Sequence, residues 1–181
     1  VFLDTATVNQ QDLDLTSLIS SLPDWSLRNH TPANEVTGAI EGVTIVVSNK
    51  VMLSRQILQG TPSLKLICVA ATGTNNVDMD TARELGITVC NARGYSTTSV
   101  VEHVFSVMLA FSRQSVRYQK AVQEGRWHSS DVFCLDDYPI HELAGQTLGI
   151  VGHGELGSAV ANMARAFGMN ILIAQRPGGR P

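Results

Sequence analysis

The run Leu148-Gly149-Ile150-Val151-Gly152-His153-Gly154-Glu155-Leu156-Gly157 sets three glycines at the spacing G-x-G-x-x-G, directly after a short apolar stretch and directly before a helical pattern. In that setting backbone N–H groups, rather than side chains, can take hold of a dinucleotide's phosphates. Gly152 would permit the tight turn out of a strand, Gly154 would let the backbone approach a pyrophosphate, and Gly157 would let the helix pack closely on the strand. The helix start over Glu155 to Ser158 would add unpaired N–H groups and the positive end of a helix dipole. Glycines also gather in ordinary turns, so a purely structural turn is the competing reading.

The elements that must position this turn follow from the pattern of the whole chain. Short apolar runs rich in Val and Ile alternate with helical patterns, which predicts an α/β fold with parallel sheets. Strands are expected at Val1 to Asp4, Thr44 to Val47, Leu66 to Ala71, Ile87 to Cys90, Leu148 to Val151 and Ile171 to Ala174. Helices are expected at Gln11 to Ser21, Ser54 to Gln59, Asp78 to Leu85 and Glu155 to Phe167. The longest helix should start at Ser99, where Ser99-Val100-Val101-Glu102 has the spacing of a capping box, and run to about Glu124. Its first part, from Val100 to Phe111, is apolar on almost every side, which predicts burial on several faces, between domains or between subunits. A domain boundary is expected near Asn91 to Thr98. Beyond Ala174 the pattern stops just where another helix is due, so the sequence reads as the first part of something larger.

Composition narrows the function classes. With 181 residues, 44% of them hydrophobic, the chain can bury a sizeable core. Its apolar runs are too short to cross a bilayer and nothing near Val1 resembles a signal peptide, so a cytoplasmic protein with no membrane partner is expected. A net charge of −3 speaks against a sequence-independent nucleic-acid surface, and Arg113, Arg117 and Lys120 read as a solvated helix face. Cys68, Cys90 and Cys134 lack metal-ligand spacing and read as buried free thiols, with no metal site.

Several motifs fall in one order along nearly the whole chain. Ala70-Ala71-Thr72-Gly73-Thr74-Asn75-Asn76-Val77-Asp78 precedes Ala82-Arg83-Glu84-Leu85-Gly86-Ile87 and Val89-Cys90-Asn91. Val100-Val101-Glu102, Gly125-Arg126-Trp127, the segment from Leu143 to Gly154, and Ala166-Phe167-Gly168-Met169 complete the series. This order and spacing resemble the D-isomer-specific 2-hydroxyacid dehydrogenases, most closely their glycerate dehydrogenase (hydroxypyruvate reductase) branch. The resemblance implies a flavodoxin-like substrate domain over residues 1–95, then an interdomain helix and the first βαβ unit of a Rossmann NAD(P)-binding domain over residues 96–181. It implies an active site in the cleft between the two domains.

The resemblance also assigns residues. Backbone N–H groups of Thr72-Gly73 would hold the substrate carboxylate, and Lys50-Val51 would close over the same pocket; from the residues alone, Thr72-Gly73 is an ordinary strand-to-helix turn. Thr98 would lie near the nicotinamide, or simply flank the helix cap. Gly152, His153, Gly154, Glu155, Leu156 and Gly157 would hold the pyrophosphate, with His153 contributing its backbone. At the end of the next strand, where an NAD enzyme places Asp or Glu against the ribose 2′-hydroxyl, the chain has Gln175 and then Arg176. Arg176 could pair with a 2′-phosphate, which opens NADP as well as NAD, or it could be a solvated loop arginine. The family's catalytic Arg, Glu and His belong to contexts that do not occur before Pro181, so no catalytic residue is assigned within 1–181. His30, His103, His128 and His141 are not promoted into that role.

Three functions are compatible with these residues. The first is an oxidoreductase that transfers hydride between NAD(P)H and a small 2-oxo or D-2-hydroxy acid, with hydroxypyruvate or glyoxylate as substrate. The second is an NAD(H)-sensing, corepressor-like binding protein on the same scaffold, since fold alone does not fix function. The third is a cofactor-binding remnant without activity. The match to the glycerate dehydrogenase branch favours the enzyme, and the apolar helix from Val100 to Phe111 predicts a homodimer.

Overall fold

The structure, a computed structural model, describes residues 1–9 and 13–174 and divides into two compact units, Val1–Arg93 and Gly94–Pro181. The first unit is built on three parallel strands, β1 (Ile45–Ser48), β2 (Leu66–Val69) and β3 (Thr88–Asn91), in the order β1-β2-β3. Before β1 lie the single-turn helices α1 (Thr16–Ile19) and α2 (Val36–Ala39). The crossovers between the strands are α3 (Arg55–Gln59) and α4 (Met79–Glu84). Alternation within β1 and β2 sends Val46, Ser48, Ile67 and Val69 inward. There they meet Leu3, Ile40, Leu53, Leu58 and Leu64, each at most 2% exposed. Truncating one of these leucines to alanine costs about 2–5 kcal/mol.

Where the first unit departs from expectation, short polar side chains have intervened. Val1 to Asp4 is not a strand: Phe2 makes single parallel bridges to Leu27 and Val47, and a 3-10 turn at Thr5–Thr7 follows at once. Of the helix expected over Gln11 to Ser21, the described residues from 13 onward form only α1, because the Asp14 carboxylate accepts the Thr16 N–H at 2.8 Å and closes a local turn there. Residues 10–12 lie outside the described residues. The other strands and helices shift by one or two residues.

Asp78 caps α4, its Oδ1 accepting the Thr81 N–H at 2.9 Å. The backbone bond from Thr81 is the chief cause that holds the Asp78 carboxyl below its ordinary value, and nearby Arg55 adds to it. A depressed carboxyl stabilises the fold above its unfolded value of about 3.9, and this contribution is lost as pH falls through the folded value. The gap in melting temperature between wild type and Asp78→Ala should therefore be wide at neutral pH and narrow near pH 3. Equal gaps at both values, in paired thermal melts, would count against it.

The second unit pairs β4 (Thr147–Val151) with β5 (Asn170–Ala174) in parallel, Thr147 facing Asn170 and Val151 facing Ala174. Helix α7 (Glu155–Ala166) makes the crossover, and α5 (Thr97–Ser112) packs on it. Val101 and Phe105, one turn apart on α5, are buried with Ala164 and Met169, and Phe105 stacks on Phe167 with ring centroids 5.0 Å apart. Such a ring pair contributes about 0.5–1.5 kcal/mol beyond its buried area.

Two expectations for this helix are corrected. Ser99 is not the N-cap: Ser96 occupies that position without a side-chain bond, so Ser99 lies inside the first turn and the capping box is absent. Nor does the helix reach Glu124, because Gln114 adopts φ 53° and breaks it into α5 and α6 (Ser115–Gln123). Within this unit α5 buries one face, while Val107 is 38% and Phe111 74% exposed.

The loop after α6 is held down by Tyr138. Its backbone N–H and carbonyl meet the Tyr118 hydroxyl, and its ring lies 3.9 Å below the Arg117 guanidinium. Arg126 pairs with Asp137 at 2.6 Å, and that carboxylate is the main reason the guanidinium pKa is raised further. All three cysteines are free, but they are not buried as expected: Cys68 and Cys134 are half-buried and Cys90, on edge strand β3, is exposed. Burial, and then neighbouring Cys90, pushes the Cys68 thiol up.

Candidate functional site

Two stretches of unpaired backbone dominate, one in each unit. In the second unit the chain leaves β4 through Gly152, whose φ of +94° is a conformation that side-chain-bearing residues rarely adopt. Gly157 sits in the first turn of α7, where an added Cβ would collide with the Gly152 carbonyl oxygen and fall 3.3 Å from Ile150 Cγ2. The backbone of α7 can lie this close to the turn only because residue 157 has no side chain.

Gly154 differs from both. It is the N-cap of α7 with φ −80° and ψ −158°, ordinary extended backbone, and an added Cβ would meet nothing within 4 Å. Among the described residues neither strain nor packing requires glycine there, and the open space beside its Cα would admit a close-approaching ligand.

No side chain caps α7, and among the described residues the N–H groups from Gly152 to Gly157 donate to nothing. Five of these six residues are exposed and Gly157 is half-buried, and a run of unpaired amides at a helix start is able to receive an anion. His153 is exposed, and its carbonyl accepts the Ser158 hydroxyl at 3.3 Å. Leu156 is 43% exposed on the first turn of α7. Glu155 takes the Thr97 hydroxyl on Oε1, which ties the start of α5 to the start of α7. This link was missed in the sequence, where Thr98 drew attention instead. Thr98 is exposed in the first turn of α5 and its hydroxyl has no partner among the described residues. Gln175 and Arg176 lie outside the described residues.

In the first unit the loop after β2 is a second amide run. Among the described residues the N–H groups of Thr72, Gly73, Thr74, Asn75 and Asn76 donate no hydrogen bond, and Thr72 and Gly73 are exposed. The Thr72 carbonyl accepts the Asn91 side chain at 2.7 Å, which fixes the loop's base to β3. Lys50 and Val51 form the loop after β1 and are stitched to the same region: Asn76 Nδ2 donates to the Val51 carbonyl at 3.1 Å, and Leu53 N–H donates to the Asn76 carbonyl at 2.7 Å. Structure thus joins the two loops that the resemblance had assigned to one pocket. Lys50 is exposed and Val51 half-buried. Among the described residues no group of three His, Cys, Asp or Glu could hold a metal, and no helix is long and apolar enough to cross a membrane.

Residues 4–175 match the family model described as D-isomer specific 2-hydroxyacid dehydrogenase, catalytic domain. The chain belongs to the D-isomer specific 2-hydroxyacid dehydrogenases. Similar members of this family include a glycerate dehydrogenase of Methylorubrum extorquens, 46% identical over 76% of this chain and 44% of the relative. A hydroxypyruvate reductase of Blautia hydrogenotrophica is 34% identical over 95% of this chain and 54% of the relative. Among solved structures, a glyoxylate reductase from Paecilomyes thermophila superposes with a TM-score of 0.64 at 26% identity, over 81% of this chain and 46% of that one. The chain spans about half the length of the relatives it matches. The expectations of family and of an α/β fold with parallel sheets therefore both hold for this member of the dehydrogenases.

Proposed function

We propose that the protein is an NAD(P)H-dependent oxidoreductase that moves hydride between nicotinamide and a small 2-oxo or D-2-hydroxy acid, hydroxypyruvate or glyoxylate. The observation that carries this reading is Gly154: a glycine that neither strain nor packing requires among the described residues, at the head of a helix with no side-chain cap and with first amides that have no partner there. The names of the relatives support the substrate class.

In this reading the amides from Gly154 to Gly157 bind the pyrophosphate, and the dinucleotide supplies the hydride. The amides of Thr72 and Gly73 take the carboxylate of the acid, and the exposed Lys50 ammonium adds attraction for that anion. Residues 1–181 bind and orient. The groups that polarise the carbonyl and donate the proton belong to the part of the relatives' length that this chain does not span.

The deciding test is oxidation of NADH and NADPH by the full-length protein with hydroxypyruvate and with glyoxylate. Turnover with either acid is expected, and none with either would sink the reading. If Arg176 meets a 2′-phosphate, Arg176→Ala should raise KM for NADPH about tenfold and leave that for NADH alone. Equal changes for the two cofactors would remove that role.

The reading includes a cytoplasmic homodimer. Phe111 at 74% and Val116 at 70% exposure give the α5–α6 junction an apolar surface suited to a second copy. Sedimentation of the full-length protein as a monomer would refute the dimer.

A further inference from the structure

Asp4 is a buried carboxylate that the proposed reaction does not use. Its side chain ends the Val1-Phe2-Leu3 run inside the first unit and is 1% exposed. A carboxylate so buried must be compensated, and here the compensation is entirely backbone. It accepts the N–H of Asn49 at 2.9 Å on Oδ1 and 3.2 Å on Oδ2, that of Lys50 at 2.6 Å, and that of Val51 at 3.3 Å. Three consecutive amides converge on one carboxylate, from a segment 45 residues along the chain.

The rest of the loop is fixed as tightly. The Val51 N–H is shared with Ser48 Oγ at 3.1 Å, the Val51 carbonyl takes Asn76 Nδ2, and the Asn49 side chain donates to Thr7 Oγ1 at 3.0 Å. Of the segment 49–51, the exposed Lys50 side chain is what the lock leaves free. The same lock decides how the loop can act: its amides are spent on Asp4, so it can serve an anionic substrate only through side chains. The free amides are those of residues 72–76, to which Asn76 ties it.

Resting on the functional reading above, we infer that Asp4 is a positioning residue for the 2-oxo acid: by gathering the amides of Asn49, Lys50 and Val51 it holds Lys50 and Val51 in register with the Thr72–Asn76 loop. Asp4→Asn keeps the size but presents an amide NH2 to those N–H groups. In the full-length protein it should raise KM for hydroxypyruvate about tenfold, with kcat within about twofold of wild type and NADH affinity unchanged, because the glycine turn lies in the other unit.

Thr61→Ala is the comparison for stability alone. It removes a buried hydroxyl that bonds the Ile57 and Leu58 carbonyls away from the loop, and should lower the melting temperature without moving KM. A folded Asp4→Asn protein with wild-type KM, or with a KM rise no larger than that of Thr61→Ala, overturns the inference alone. If Asp4→Asn does not fold, Ser48→Ala releases the same loop more gently and should raise KM about threefold; an unchanged KM there overturns it equally. A wild type that reduces neither acid overturns the functional reading and this inference together.

Discussion

Gly157→Ala is expected to destabilise the protein by about 3 kcal/mol, near the upper end of what forced overpacking costs. For a chain of this size that is a loss of roughly 6–12 °C in melting temperature. The expectation follows from which atoms are in the way. An alanine Cβ would collide with the Gly152 carbonyl oxygen and lie 3.1 Å from its carbon, and both are backbone, unable to rotate aside. Gly152 itself is pinned at φ +94°, so relief must come from α7 lifting off β4. That lift would loosen Ala161 and Ala164, both fully buried. Cofactor affinity should fall with stability, because the amides of the cradle belong to the same turn. Gly149→Ala is the contrast: its Cβ would meet nothing within 4 Å, and its melting temperature should stay within about a degree of wild type. A Gly157→Ala protein that melts like wild type would show that the helix has room the structure denies it.

Features set by local backbone chemistry were readable from the sequence. The alternation of short Val- and Ile-rich runs with helical patterns is the mark of parallel strands joined by helical crossovers, and β1 to β5 lie within a residue or two of the expected places. The places of Gly152 and Gly157 were likewise legible, because a φ of +94° strongly favours glycine and a Cβ at residue 157 would collide with the Gly152 carbonyl oxygen. The break at Gln114 was not, since Ser112-Arg113-Gln114-Ser115 holds no glycine or proline and a left-handed glutamine has no local signature. Ser99 misled because Ser96, Thr97, Thr98 and Ser99 are all capable of capping, and spacing to Glu102 picked the wrong one. Asp4 was missed for a different reason. A charged residue closing an apolar run is the only trace it leaves in the sequence, and its partners are amides, which are the same in every sequence.

Gly154→Ala should separate binding from folding, the two properties that Gly157→Ala damages together. At φ −80° and ψ −158° the backbone suits any residue, and the added methyl enters open space, so no strain arises. Alanine lowers the entropy of the unfolded chain relative to glycine, which favours folding by about 0.4–1 kcal/mol, but it is the poorer N-cap by a comparable amount. These terms oppose each other, and the melting temperature should move by no more than about 2 °C. NADH affinity, by contrast, should fall more than tenfold, because the methyl occupies the approach by which phosphate oxygens reach the free amides of Glu155, Leu156 and Gly157. KM for hydroxypyruvate at saturating cofactor should hardly change, since the Thr72–Asn76 amides lie in the other unit. Titrating NADH into both proteins by fluorescence, beside thermal melts, gives the answer directly. Equal affinities would mean that the cradle at the head of α7 does not take the dinucleotide, and would leave N-capping alone to account for glycine at residue 154.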